Sequence, residues 1–258
     1  MSVAVRGLYH YPVKGLSAQA LAKVRLIAGE GFPFDRVYGL ARHDSGYDPT
    51  YFQPLPKSRF IVLVKEDRLA GLSTFFDTET KTLDVSVQGQ PVLSENLETE
   101  RGRAEVVRFF SNMFDLQDGR EPSVAVGGEN RFTDLCTESK EMMNAISLIN
   151  LATVRDFESR ISAAVDPLRF RANLYFDGLP AYRELEMLGR EIEVGPARLR
   201  IFQRTERCAA TEVNPIDARR DIAVPRLLMK HLGHADMGVY AEVIEGGMIE
   251  IGSQISIS

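Results

Sequence analysis

The residue whose chemistry reads most directly from this sequence is Cys208, in the run Arg204-Thr205-Glu206-Arg207-Cys208-Ala209-Ala210-Thr211-Glu212-Val213-Asn214-Pro215. The alternation Ala197-Arg198-Leu199-Arg200-Ile201 predicts a strand leading into it, and the turn-rich stretch ending in Asn-Pro predicts a loop after it. A thiol at such a junction, flanked by Arg204 and Arg207, has access to a pocket and positive charge that favours thiolate. Thiolate is the form that binds a soft transition metal. The competing fate is that of most free cysteines, a small buried hydrophobe.

Charge around Cys208 is uneven. Arg198, Arg200, Arg204, Arg207, Arg219 and Arg220 face only Glu206, Glu212 and Asp217 between positions 198 and 220, although the whole chain carries a net charge of −5. A basic pocket in an acidic protein points to an anionic small ligand rather than to a polymer. Arg198 and Arg200 read as the wet face of a strand, while Arg204 and Arg207 stay open between pocket and surface. The second cysteine, Cys136, has no cation before Lys140 and reads as structural. His231 and His234 sit near a predicted helix end with no third ligand at metal spacing, so they read as partners of the helix dipole. Neither a Gly-rich phosphate loop nor a G-x-S-x-G elbow occurs, which counts against NAD, ATP and that class of hydrolase.

The elements that would position these groups fit a chain of 258 residues with 44% hydrophobic residues, enough for one large or two modest cores. No apolar run reaches the length of a membrane span, and the first residues lack the apolar core of a secretory signal. Two cysteines make no disulfide framework and no C-x-x-C occurs, so a reducing cytoplasm is the expected compartment. Short strands are predicted over 3–9, 21–27, 36–42, 59–65 and 82–88, then a helix over 105–114 with one apolar stripe. The stretch 117–134 has neither period and places a domain boundary there, giving domains 1–118 and 119–258. A helix capped by Asn150 follows, then strands over 172–176, 190–194 and 197–202. A short helix from Pro225 to Gly233, a strand over 238–244 and a hairpin over 247–258 complete a mainly β, α+β chain.

Several of these segments together resemble one family. The Cys208 run, Leu168-Arg169-Phe170-Arg171-Ala172-Asn173-Leu174 and Asp177-Gly178 resemble the MOSC domain, named after the C-terminal domain of molybdenum cofactor sulfurases. Tyr11-Pro12-Val13-Lys14-Gly15-Leu16 and Phe34-Asp35-Arg36-Val37-Tyr38 resemble the β-barrel domain that precedes it in two-domain members, and Gly238-Val239-Tyr240-Ala241 also matches. The resemblance implies an N-terminal β-barrel-like domain followed by a MOSC β-barrel. It further implies a molybdenum cofactor (molybdopterin), with Cys208 as the metal's protein ligand and Lys14, Arg36, Arg171 and Asn173 holding the pterin and its phosphate. Asn144 and Arg207 are added as further cofactor contacts. Residues from both halves make that site, which places it at the domain interface.

The chain departs from the family pattern at three points. Ala172 replaces the usual proline, Met143-Asn144-Ala145 replace small polar residues, and Glu206 puts an acid two positions before the cysteine. The leading expectation is a reductase of N-hydroxylated compounds resembling the amidoxime-reducing component. It would take a small-molecule substrate and draw electrons from an external flavin or iron–sulfur protein, because no flavin, haem or iron–sulfur signature is present. The alternative is a sulfur carrier or cofactor-handling protein in which Cys208 takes a persulfide. Pyridoxal phosphate belongs to the wider family's sulfurases, and no lysine here has a Schiff-base context. Nucleic acid and membrane are not expected partners.

Overall fold

A computed structural model describes residues 2–257. The first half contains β1 (Ala4–His10), β2 (Gln19–Leu21), β3 (Lys23–Leu26), β4 (Tyr38–Ala41), β5 (Leu72–Asp77), β6 (Thr82–Val87) and β7 (Gln90–Asn96). Then come α1 (Glu100–Phe114), β8 (Ser123–Val126), α2 (Lys140–Met143), β9 (Ile146–Asn150) and α3 (Leu151–Ile161). The chain continues with β10 (Leu174–Asp177), β11 (Glu191–Val194), β12 (Ala197–Glu206), α4 (Val224–Leu232), β13 (Asp236–Glu245), β14 (Gly247–Glu250) and β15 (Ile255–Ile257). The mainly β architecture is as the sequence predicts, and among the described residues four helices occur, the short α2 adding to the three read from the sequence.

An eight-stranded sheet in the order β15-β11-β12-β13-β9-β10-β1-β2 forms the frame. β1 brings the N-terminal residues into this sheet by pairing antiparallel with β10. A second core is built on the short β4–β8 pair, the β5-β6-β7 meander and α1. Local chemistry explains the helices. Thr99 accepts from the Gly102 N–H at 3.0 Å to start α1, whose Val106, Phe110 and Phe114 are buried. Asn150 accepts from the Ala152 N–H at 3.1 Å and starts α3, as predicted. Pro225 opens α4, and Gly233, at φ 79°, closes it in the left-handed conformation.

Two predicted elements are corrected. The 59–65 segment is no strand: a 3-10 turn at Lys57–Arg59 runs into extended chain that touches the sheet only through an isolated Ala41–Phe60 bridge. Its apolar residues mark burial, since Phe60 and Ile61 are both 1% exposed or less. The C-terminal hairpin does not form either. β14 pairs with β3 and β15 with β11, so the alternating isoleucines serve two different sheets. Gly246 permits this path, because a Cβ there would lie 2.6 Å from the Leu26 carbonyl oxygen. The aperiodic 117–134 stretch also contains β8, paired with β4. β9 escapes period reading because all five of its residues are buried.

Candidate functional site

β12 ends at Glu206, and the chain turns through Arg207 into Cys208, which precedes the 3-10 turn Ala209–Glu212. Cys208 is thus a half-buried thiol at a strand-to-loop junction, the placement expected from the alternation before it. Lys14 follows β1 directly, where Val13 bridges Tyr38 at the start of β4. Arg36 and Arg171 occupy tight turns with left-handed backbones, at φ 53° and φ 51°. Side chains longer than glycine pay about 1–2 kcal/mol for that conformation, and such departures concentrate at functional sites. The Arg36 turn is held by its own N–H, which donates to the Tyr11 carbonyl at 2.8 Å. The Arg171 turn ends the 3-10 segment Pro167–Phe170.

These elements converge on one cleft. Lys14, Arg36, Arg171, Asn173, Arg207 and Cys208 all line it, and it holds about 920 Å³ of empty volume, open solvent included. Two guanidiniums stack on one buried ring: Arg36 lies 4.7 Å and Arg171 4.3 Å from the Tyr11 centroid. Arg36 pairs with Asp35 and also donates to the Arg171 carbonyl at 3.0 Å. Burial opposes its charge, yet Asp35, Tyr11 and Asp134 together outweigh burial and hold Arg36 above its ordinary pKa. Arg171 has no such partner. Its Nη2 is buried without a hydrogen bond, and burial, helped by the nearby Arg36 charge, pulls its pKa down to about 10.

Not every expected residue is equally free. Lys14 donates to the Phe132 carbonyl at 2.7 Å and to the Asp134 carboxylate at 2.6 Å. Asn173 lines the cleft, but its carbonyl accepts from Ser147 N and Oγ at 3.1 and 3.0 Å, and its amide donates to the Tyr9 carbonyl at 3.2 Å. It therefore holds β1, β9 and β10 together beneath the cleft floor. Arg207 donates from Nη1 to the Phe170 carbonyl at 2.8 Å and from Nε to Met237 at 2.7 Å, and burial lowers its pKa. Asn144 stands outside the wall, donating to the Gly29 carbonyl at 2.9 Å and accepting from Arg131 at 3.0 Å.

The charges near the thiol differ from the expected ones. Arg204 is not in the wall: it donates to the Leu185 carbonyl at 2.9 Å and faces Asp236 at 3.7 Å. Arg198 and Arg200 form a surface ladder with Glu191, Glu242 and Glu245, as their alternation predicts. The cation beside Cys208 is Lys57, which pairs with Asp134 at 3.5 Å. Burial opposes its charge, but Asp134 and the Cys208 sulfur together hold the ammonium above its ordinary pKa. Burial works against the Asp134 carboxylate too, yet Lys14 and Lys57 keep it well below the usual carboxylate range. Sequence reasoning misses both residues. Lys57 lies in a turn just after Pro54 and Pro56 and Asp134 in an aperiodic stretch, and only the fold carries them to Cys208.

Among the described residues no three His, Cys, Asp or Glu side chains cluster as a metal site, and no helix is long and apolar enough to cross a membrane. The soft donor this cleft offers to a metal that arrives with its own chelator is the Cys208 sulfur. The donor set fits such a group: a soft sulfur at one point, and at another a half-buried guanidinium that lacks a counter-anion and has one fully buried nitrogen without a partner.

A family model described as the MOSC N-terminal beta barrel domain matches residues 2–126, and one described as the MOSC domain matches residues 123–256. The chain belongs to the MOSC family. No curated protein matches this MOSC chain. Among solved structures it is similar to the YuaD protein of Bacillus subtilis, at 12% identity and a TM-score of 0.43, over 99% of this chain and 94% of that one. It is also similar to YiiM of Geobacillus stearothermophilus, at 20% identity and a TM-score of 0.36, over 44% of this chain and 53% of YiiM. The Escherichia coli YiiM gives 22% identity and a TM-score of 0.31 over 44% and 53% of the two chains. The MOSC chain thus spans about half the length of the YiiM proteins it matches. Similarity of that degree adds nothing to the site.

Proposed function

We propose that this MOSC protein binds a molybdenum cofactor and reduces N-hydroxylated or related N-oxygenated small molecules. One observation supports the reading above others. A half-buried Arg171, its Nη2 fully buried and unpartnered, and its stacked neighbour Arg36 share a cleft with the half-buried Cys208 thiol. Cys208 would ligate the metal. Arg171, with Arg36 beside it, would hold the phosphate of the pterin by charge-assisted hydrogen bonds, for which guanidinium geometry is suited. Lys14 keeps Asp134 in place, Asn173 fixes the strands below, and Arg207 braces the turn that carries the thiol. When bound, such a cofactor supplies the two-electron redox chemistry by which an N–O bond is cleaved. Electrons would come from an external flavin or iron–sulfur protein, in a reducing cytoplasm that keeps Cys208 free. Asn144, outside the wall, has no part in this arrangement.

Persulfide transfer is the second reading, favoured by the same accessible sulfur with an ammonium beside it. Metal analysis and intact mass of freshly purified protein separate the two. Stoichiometric molybdenum, with reduction of a benzamidoxime by a chemical donor, is the result expected of the reductase. A mass raised by one sulfur, without molybdenum, overturns it in favour of the carrier.

A further inference from the structure

The cleft's charges can be paired off one by one. Arg36 has Asp35, Lys14 has Asp134 at 2.6 Å, and Arg169 grips Asp221 through two bonds of 2.6 and 2.7 Å. Arg207 is closed off by backbone carbonyls. Two cations remain without a carboxylate of their own. Arg171 is the inner one. Lys57 is the outer one, because it reaches Asp134 only at 3.5 Å, and that carboxylate already serves Lys14. Glu206 lines the same cleft, and no ion pair joins it to Lys57 among the described residues. Depth separates the two surplus cations: Arg171 is half-buried with its Nη2 fully buried, whereas the Lys57 side chain is 42% exposed. The inner surplus suits an anion that stays with the protein, whereas the outer one, beside the Cys208 sulfur, meets whatever enters from solvent.

We infer that Lys57 selects substrates that carry a carboxylate, docking that group at the mouth of the cleft while the reducible group reaches Cys208. This rests on the reductase reading above and narrows its substrate class. The 3-10 turn at Lys57–Arg59 fixes where the side chain leaves the backbone, and its long stem lets the ammonium swing from Asp134 to an incoming anion. Asp134 sets the threshold: it holds Lys57 over the cleft when no anion is present and is replaced only by an anion of comparable charge. A neutral substrate gains nothing from the exchange.

The test uses a matched pair, 4-carboxybenzamidoxime and 4-carbamoylbenzamidoxime, which differ only in charge at the distal end. Turnover by the molybdenum-loaded protein should favour the carboxylate in kcat/KM by about fivefold to tenfold, one charge-assisted contact partly screened by solvent. The preference should lie in KM, vanish in Lys57→Ala, return in Lys57→Arg and reverse in Lys57→Glu. Calorimetric titration of both compounds into the same variants reads binding without turnover. Carboxylate-selective binding that depends on Lys57 while neither compound is reduced upholds the docking site and sinks the reductase reading instead. Equal binding of the two compounds by the wild-type protein, or a preference that survives Lys57→Ala, overturns the proposal, as does a loss in kcat alone.

Discussion

Two polar clusters in this molecule are built on opposite terms. In the first, Glu184, Asn150 and Thr153 are all fully buried. Thr153 Oγ1 donates to the Glu184 carboxyl at 2.7 Å, and Asn150 donates to its other oxygen at 3.3 Å and to the Pro180 carbonyl at 2.9 Å. Thr153 Oγ1 also accepts from the Tyr182 N–H at 2.8 Å. The groups satisfy one another, and the cluster locks the start of α3 to the loop before β11. The second cluster is the cleft, where Arg171 has a buried nitrogen with no partner and Lys57 shares a carboxylate with Lys14. Buried polar groups in native proteins are nearly always paired. A closed network therefore marks structure, and a network with cationic capacity left over marks a place for a ligand.

The sharpest way to break this contrast is at Cys208. Cys208→Ser should abolish molybdenum retention and reductase activity while leaving the thermal midpoint close to wild type, since a hydroxyl is a poor soft-metal ligand and the change in volume is small. Cys136→Ser is the control, because that thiol is buried, donates to the Leu55 carbonyl at 3.4 Å and lies away from the cleft wall. Full activity in Cys208→Ser would refute the catalytic proposal. The closed cluster should respond in the reverse manner. Glu184→Ala strands the Thr153 and Asn150 donors, and urea titration should show a loss of about 1–3 kcal/mol, with cofactor affinity unchanged.

Arg171→Ala tests the other side. It should weaken cofactor retention by about tenfold, the worth of one charge-assisted bond, read as pterin and molybdenum remaining after gel filtration. Stability should hold or improve, because a half-buried cation without a counter-anion is removed. A variant that unfolds instead would show that Arg171 is a structural member like Glu184.

The subtlest distinction is in pH. Burial raises the pKa of the Glu184 carboxyl, whereas the two lysines outweigh burial at Asp134 and depress it. The signs follow from linkage. A raised carboxyl favours the folded state most at low pH, where both states hold the proton, and that support is lost as pH climbs past the ordinary carboxylate range. A depressed carboxylate gives support above that range and loses it as pH falls. Between about pH 4 and pH 7, Glu184→Gln should therefore gain stability relative to wild type as pH rises. Asp134→Asn should instead lose stability relative to wild type as pH climbs from about 2 to about 4, and then run level with it over the range in which Glu184 acts. Parallel curves for both variants in a pH series of denaturant titrations would remove the distinction.

Much of this was legible in the amino-acid order because it depends on neighbours in sequence. The Asn150 cap, the Pro225-to-Gly233 helix and the strand leading into Cys208 need only local hydrogen bonding and side-chain period. The charged ladder of Arg198 and Arg200 is equally local. The short runs around Lys14, Arg36, Arg171 and Cys208 identify the family and so the members of the cleft, although neither period nor spacing alone brings them together. Tertiary structure alone decided the rest. β14 and β15 part company because their partners, β3 and β11, are distant in sequence, and the 59–65 run is apolar through burial rather than pairing. Asn173 and Asn144 look like ligands in sequence, yet one ties three strands and the other lies outside the wall. Lys57 and Asp134 carry no local signal at all, since a charge acquires its role from what stands a few ångströms away, and that distance is set by the fold.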